Sequence, residues 1–168
     1  MNIFRRLIIL SCAISFALSQ ECVAGETKKE VPPYKIASIK ASLYFYQNGT
    51  FSENIIDNPS YGPGGLWDTI IGGGSAGSPS RDVMVIVDIV GKPRDFDPKR
   101  KLSFVAMENG KVKMERVATT HLFGEKGHLL VAFWLYDTGC KPIVLTAKLQ
   151  GQSTESKLEK TIDFECGE

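Results

Sequence analysis

The sequence predicts an all-β protein, an antiparallel two-sheet sandwich of seven or eight strands that follows an N-terminal signal peptide. After the leader, no stretch shows a sustained apolar periodicity of about 3.6 residues, which a surface helix would need. Short apolar or alternating runs are instead separated by turn signals rich in Gly, Pro and Asn. Short strands with no helix between them favour an antiparallel sandwich over a parallel sheet.

The leader covers residues 1–24. Arg5 and Arg6 precede an apolar run over residues 7–18, which is the pattern of a secretory signal. That run is too short for a membrane-spanning helix, which needs about 20 apolar residues. We therefore expect no integral membrane segment in the mature chain.

The cleavage site decides which cysteines remain. Cleavage after Ser19 and cleavage after Ala24 both follow small residues, and we favour Ala24 because it removes Cys12 and Cys22 together. The alternative is a lipoprotein that is anchored through Cys12. Either reading predicts an exported protein, periplasmic or secreted.

The mature chain is expected to contain a polar tether, residues 25–33, and a single β-sandwich domain, residues 34–168. A chain of 168 residues is long enough for one substantial core. Cleavage after Ala24 takes the formal net charge from +1 to zero. A neutral chain with interspersed charges argues against nucleic acid and anionic membrane as partners. Because the sequence also lacks a metal set and a catalytic set, we favour another envelope or secreted protein as the partner.

Three stretches of the first half predict structure. Ile36–Tyr46 alternates between apolar and polar residues and predicts a half-buried strand. Residues 47–65 collect Asn, Gly, Ser and Pro and predict a long irregular connection. Val83–Val90 is rich in β-branched residues and predicts an interior strand.

The second half predicts three hairpins and a central strand, and Gly124-Glu125-Lys126-Gly127 closes the hairpin that leads into His128. Leu102–Met107 and Val112–Val117 flank the turn signal Asn109-Gly110. His128–Tyr136 is apolar on both alternating faces, which predicts a central strand covered on both sides. Residues 141–165 predict the third hairpin.

In that third hairpin, a coherent apolar face results if Leu149 lies opposite Leu158, and Ile143 opposite Phe164. Cys140 and Cys166 stand at its two ends. In an oxidising compartment we expect them to form a disulfide. It would close a loop of about 27 residues and contribute roughly 3.5 kcal/mol in the chain-entropy model.

Three segments carry a resemblance. They are Leu66-Trp67-x-Thr69-Ile70-Ile71-Gly72-x-Gly74 with Pro79-Ser80, Phe133-Trp134-Leu135 with Gly139-Cys140, and Phe164-x-Cys166-Gly167-Glu168. On these segments the chain resembles small exported bacterial β-sandwich proteins of the immunoglobulin-like class, a group of unassigned function. The resemblance implies export and a β-fold, and it implies no biochemical activity. The Cys…Trp…Cys order of antibody domains is absent, because both cysteines follow Trp134.

The glycine-rich region is the first place to look for a binding site. Seven glycines lie between Gly62 and Gly77, and a glycine-rich loop with one Trp on a rigid scaffold suits recognition. The candidate binding residues are Tyr61, Trp67, Gly72, Gly73, Gly74 and Ser75. A second aromatic set, formed by Tyr44, Tyr46, Phe51, Tyr61 and Trp67, fits either a binding patch or a cover over the core, and we favour the cover.

Catalytic and metal motifs are weak. Residues 73–77 match G-x-S-x-G with Ser75 as nucleophile, but that motif needs a following helix, which the sequence does not predict. His121 and His128 lack the further ligands that a metal site requires. We therefore predict no catalytic residue, no metal and no cofactor.

The sequence thus predicts a non-enzymatic binding or structural module that interacts with a protein or belongs to the envelope. A carbohydrate- or small-ligand-binding module that uses the loop around Trp67 is the alternative, and a hydrolase that uses Ser75 is a remote one.

Overall fold

Two antiparallel sheets of four strands each make up most of the described chain. The computed structural model describes residues 33–57, 66–67, 80–138 and 141–165, and of Leu66, Trp67 and Glu165 the backbone alone. The strands are β1 (Lys35–Phe45), β2 (Thr50–Phe51), β3 (Leu66–Trp67), β4 (Asp82–Val90), β5 (Lys101–Glu108), β6 (Lys111–Thr119), β7 (His128–Leu135), β8 (Ile143–Gln150), β9 (Ser156–Ile162) and β10 (Phe164–Glu165). The described residues contain no helix, and hence no apolar helix of membrane-spanning length.

Sheet 1 has the order β2-β1-β4-β7, and sheet 2 has the order β6-β5-β8-β9. The short strands β3 and β10 pair in parallel outside both sheets. If β1, β4 and β7 are taken as strands A, B and E, sheet 2 corresponds to C′-C-F-G, which is the immunoglobulin-like arrangement. The predicted all-β two-sheet sandwich is confirmed, with eight strands in its sheets.

The core lies between the sheets and follows the two-residue period of strands. Alternate residues of β1, β4, β5 and β8 point inward and are buried, as Ile39, Val85, Phe104 and Leu145 illustrate. The rings of Phe104 and Phe133 stack across the two sheets, with centroids 4.2 Å apart. Burial of each such side chain stabilises the fold by about 1.5–3 kcal/mol.

The Asn109-Gly110 turn confirms the predicted hairpin between β5 and β6. Asn109 has a φ of 51° and Gly110 a φ of 74°. Two successive positive φ angles define a type I′ turn, whose twist matches that of the flanking strands.

The predicted register of the C-terminal hairpin is wrong by two residues. Ile143 lies opposite Ile162, and Leu149 lies opposite Ser156. Two polar residues of β9 find partners near β1 in this register: Ser156 Oγ accepts a hydrogen bond from Ile36 N, and Lys160 Nζ lies 2.8 Å from Asp57 Oδ1. Apolar matching within the hairpin could not show these polar contacts.

The prediction for His128–Tyr136 is also wrong, because β7 is the last strand of sheet 1 and pairs with β4 alone among the described strands. Only one of its faces is covered: Phe133 and Leu135 are buried, whereas Leu130 and Tyr136 are exposed. The apolar residues on its second face belong to the protein surface.

Candidate functional site

The outer face of sheet 1, which points away from sheet 2, carries an unusual concentration of aromatic side chains. Its aromatic cluster consists of Tyr44, Tyr46, Phe51, Trp134 and Tyr136. Strand alternation explains why Tyr44 of β1 and Trp134 of β7 share this face, since their neighbours Leu43, Phe45, Phe133 and Leu135 point inward.

Tyr44 is the centre of the aromatic cluster. Its ring centroid lies 5.2 Å from that of Tyr46, 5.2 Å from that of Phe51 and 5.7 Å from that of Trp134. The Tyr44 and Trp134 rings therefore meet above the intervening strand β4. Aromatic pairs of this kind contribute about 0.5–1.5 kcal/mol each beyond their buried area, so the cluster is a preformed surface.

Several apolar side chains of this face remain largely accessible to solvent. Tyr136 is 65% exposed, Leu130 is 63% exposed and Tyr46 is 57% exposed. Trp134 lies between them, and its ring is nearly parallel to that of Tyr136, with an interplanar angle of 13° and centroids 6.3 Å apart. Single exposed apolar residues are ordinary, but several on one face make that face a candidate interaction surface.

A buried carboxylate fixes one end of the aromatic cluster. Asp82 is buried, and its Oδ1 accepts a hydrogen bond of 3.2 Å from Asp137 N in the segment after β7. The Tyr46 hydroxyl donates a hydrogen bond to Asp82, which raises the pKa of Tyr46 to about 12. Asp82 thus anchors both Tyr46 and the segment that follows Tyr136.

The other end of the outer face is polar. His128 Nδ1 lies 2.9 Å from Asp88 Oδ1, which holds the half-exposed imidazole against β4. His121 is exposed in the loop before β7. In the described ranges, no three or more His, Cys, Asp or Glu side chains are grouped to hold a metal ion.

The outer edge of β7 offers unpaired backbone groups. Gly91 N donates to Gly127 O, so the ladder between β4 and β7 is hydrogen-bonded at Gly127 and at every second residue after it. The alternate residues His128, Leu130, Ala132 and Trp134 direct their N–H and C=O groups away from β4. His128 O accepts a bond from Gly124 N there. Beyond it, Leu130, Ala132 and Trp134 form a free edge, with which no described strand pairs.

The opposite edge of sheet 1 is covered. Ser52 N donates to Leu43 O and Ile55 N donates to Ala41 O, so the chain after β2 continues along β1. Side chains complete this cover, since Leu43 N donates to Ser52 Oγ and Ala41 N donates to Asn54 Oδ1. This part of the connection was predicted to be irregular, and its side chains take over hydrogen bonds that a strand would make.

The edge of sheet 2 at β6 is protected in another way. β6 carries Lys111, Lys113, Glu115 and Arg116, and its pairing with β5 shifts register next to Met107. Charges and bulges discourage edge-to-edge association. In β7, residues 129–135 include no charge and no Pro, and its register with β4 is regular. Its free edge lacks these protections.

A surface depression lies away from this face. It has a volume of about 390 Å³ and is lined by Met107, Asn109, Gly110, Lys141, Pro142 and Val144. Among the described residues of that lining, Lys141 is the one ionisable residue.

Most of the predicted site lies outside the described residues. This holds for Tyr61, Gly72, Gly73, Gly74 and Ser75, and for the cysteines Cys140 and Cys166. Trp67 is described by its backbone alone, as a residue of β3 opposite Glu165. The glycine-rich site and the disulfide stay predictions, as do the signal peptide and the tether, and the hydrolase that uses Ser75 stays a remote alternative.

Of the predicted aromatic set, the structure brings Tyr44, Tyr46 and Phe51 together on the outer face. Sequence reasoning missed Trp134 and Tyr136, because it assigned both faces of their strand to the core. One signal was present: Tyr44 and Tyr46 occupy the otherwise polar face of β1. Trp134 and Tyr136 form a second aromatic pair at alternate positions, a pattern that is compatible with the same exposed face.

No protein-family model matches this chain, and a search of curated proteins finds no match either.

Proposed function

We propose that the protein is a non-enzymatic binding module of the cell envelope or exterior, which binds another protein through the outer face of sheet 1. The observation that carries this proposal is the position of exposed Leu130 and Tyr136 on either side of Trp134, beside a free strand edge. One partner could then pack against the apolar side chains and form hydrogen bonds with the unpaired backbone groups of the edge.

This combination suits recognition by strand addition. In that mode, backbone hydrogen bonds along a sheet edge supply affinity, and alternate side chains supply specificity. Tyr and Trp are also enriched among the residues that dominate binding energy at protein interfaces. Four of the five side chains in the aromatic cluster are of these two types.

The non-enzymatic part of the proposal rests on the polar groups of the same face. His128 and Asp88 resemble the base and the orienting carboxylate of a catalytic triad. Among the described residues, however, no Ser, Thr or Cys is hydrogen-bonded to His128. The described residues therefore supply no nucleophile for this pair to activate.

Site-specific photo-crosslinking in the exporting host tests the proposal. A photoreactive residue is placed at Leu130 or Tyr136 and, as a control, at Val117, which is similarly exposed on β6. We expect one defined protein, which is either a different chain or a second copy, to be attached at the first two positions and not at Val117. Equal labelling at all three positions, or no labelling at Leu130 and Tyr136, would refute the proposal.

One observation favours a second candidate, a carbohydrate-binding module. The nearly parallel rings of Trp134 and Tyr136 provide apolar faces against which the C–H faces of sugar rings can pack. Titration with envelope polysaccharides tests it. A saturable change in tryptophan emission that Trp134→Ala abolishes and Trp67→Phe preserves would support it.

A further inference from the structure

We propose that the protein partner of this face is a second copy of the chain, joined by antiparallel pairing of β7 with β7 about a two-fold axis at Ala132. This inference rests on the proposed protein-binding function and names the partner. The two copies would form one continuous sheet of eight strands, with both aromatic clusters on the same side.

The hydrogen-bonding pattern of the free edge determines the axis. Leu130, Ala132 and Trp134 direct their backbone groups outward. With the axis at Ala132, this residue pairs with its own copy and Leu130 pairs with Trp134, so all outward groups are used. An axis at Val131 would place Trp134 opposite His128, whose carbonyl already accepts a bond from Gly124 N. An axis at Phe133 would place Leu130 opposite Tyr136, beyond the end of the strand.

The side chains are compatible with this register. On the outer face, Leu130 of one copy would lie opposite Trp134 of the other, an aromatic–aliphatic pair at a separation of about 5 Å between Cβ atoms. At the axis, two Ala132 side chains would meet, and they are small enough to let the larger pairs on either side approach. Leu130, now 63% exposed, would become covered.

Charge is compatible as well. Residues 129–135 include no charged side chain, so no like charges meet along the paired strands. The same register would bring the turn before β7 of one copy, with exposed Lys126, near the segment after β7 of the other, with exposed Asp137. Arg81 Nη1 lies 3.8 Å from Asp137 Oδ1 in the single copy, and their exposed contact leaves the carboxylate accessible to a second cation.

Cysteine cross-linking tests the register in the mature chain. Residues that pair with hydrogen bonds in an antiparallel ladder have Cα atoms about 5.5 Å apart, within the range of a disulfide. Under mild oxidation we expect Ala132→Cys to form a disulfide between copies, located by peptide mapping. Leu130→Cys alone should not, because it faces Trp134, but a mixture of Leu130→Cys and Trp134→Cys chains should. The unsubstituted chain shows what the native cysteines contribute.

Charge exchange tests the same geometry in solution without added cysteines. We expect sedimentation to show a dimer, and Lys126→Asp or Asp137→Lys to weaken it about threefold to fivefold, as for an exposed ion pair. Combining the two substitutions in one chain should restore the affinity. Arg116→Asp on β6 is the control and should leave the dimer unchanged.

Two results would overturn the second-copy proposal. They are a monomer at concentrations up to about 1 mM, and cross-linking through Ala132→Cys that is no stronger than through Val117→Cys. If a different protein is nevertheless labelled at Leu130 and Tyr136 in the host, the proposed function stands and only the identity of the partner is wrong. A monomer that labels nothing at those positions refutes both.

Discussion

The guanidinium carbon of Arg100 lies 3.9 Å from the centroid of the Tyr34 ring. Arg100 is 7% exposed, and its Nε lies 3.2 Å from Asp97 Oδ2. One side chain thus stacks on an aromatic ring and pairs with a carboxylate at the end of the sandwich where β1 begins and β4 ends. Together with Phe123, whose ring centroid lies 4.5 Å from that of Tyr34, these residues close the core there.

Replacement of Arg100 should strongly destabilise the fold. We expect Arg100→Ala to lower the free energy of unfolding by about 3 kcal/mol, since it removes the stack and leaves Asp97 without its cation. Arg100→Lys should recover part of the loss, because Lys keeps the charge but lacks the planar group. Denaturant titration measures both. Arg116→Ala, on the exposed edge strand, is the control, and a similar loss there would contradict the assignment.

Tyr34 should make stability depend on alkaline pH. Burial, and then the hydrogen bond from its hydroxyl to Asp95 Oδ2, raise the pKa of Tyr34 to about 12. Because the folded-state pKa lies above the unfolded value of about 10, its contribution is complete below pH 10 and is lost as pH rises toward 12. The loss reaches about 2 kcal/mol at pH 12.

Denaturant titrations between pH 8 and 12 test this, with Tyr34→Phe as the comparison. The variant lacks the ionisable hydroxyl, so its stability should fall less steeply above about pH 10. Parallel stability curves for the two chains would show that Tyr34 is not responsible.

Gly91 should tolerate no side chain. A Cβ atom at this position would lie 2.9 Å from Phe123 Cζ and 2.9 Å from Tyr34 Cδ1. Both rings are fixed in the core, so we expect Gly91→Ala to destabilise the fold by about 1–3 kcal/mol. Gly124→Ala is the control, since its Cβ would meet only His128 O, at 3.4 Å. Thermal unfolding measures the melting temperatures of the two variants. Equal melting temperatures for Gly91→Ala and Gly124→Ala would contradict the prediction.

Neighbouring residues of β7 should differ sharply in their contribution to stability. Phe133 is buried against Phe104, so Phe133→Ala should cost about 3–5 kcal/mol. Leu130 is on the exposed face, so Leu130→Ala should change the stability of the single chain by no more than about 0.5 kcal/mol. Urea unfolding at low protein concentration measures both. Comparable losses would mean that the outer face is covered after all.

The predictable part of the fold was its local pattern. Alternation in β1, the β-branched run of β4 and the Asn109-Gly110 turn each depend on neighbours in sequence, and each was confirmed. The position of β7 was not predictable in this way, since a strand with two apolar faces can lie either in the centre of a sheet or beside an exposed apolar surface. The observed register of β9 places Ser156 against β1 and Lys160 against Asp57, contacts that a single hairpin does not reveal.

The candidate site failed to emerge from the sequence for the same reason. The rings of Tyr44 and Trp134 are 90 positions apart in the chain, and they meet only because β4 lies between their strands. The alternation within each strand shows the pair Tyr44 and Tyr46 or the pair Trp134 and Tyr136 separately. It does not show that the two pairs lie on the same face of one sheet.

The two sheets differ in how far apart along the chain their partners lie, which bears on the order of folding. Sheet 2 contains the hairpins β5-β6 and β8-β9, although its central pair β5-β8 joins distant segments. In sheet 1, β1 must reach β4, and β4 must reach β7, across intervening segments of similar length. Pairing of distant segments carries a larger loop-closure cost. We expect the hairpins β5-β6 and β8-β9 to form before β4 pairs with β7, so backbone amides of β7 should exchange with deuterium sooner than those of β5 and β8 in the single chain. A newly synthesised molecule would then gain the edge proposed for binding only after these hairpins have formed, which shortens the time in which an incomplete chain could associate through it.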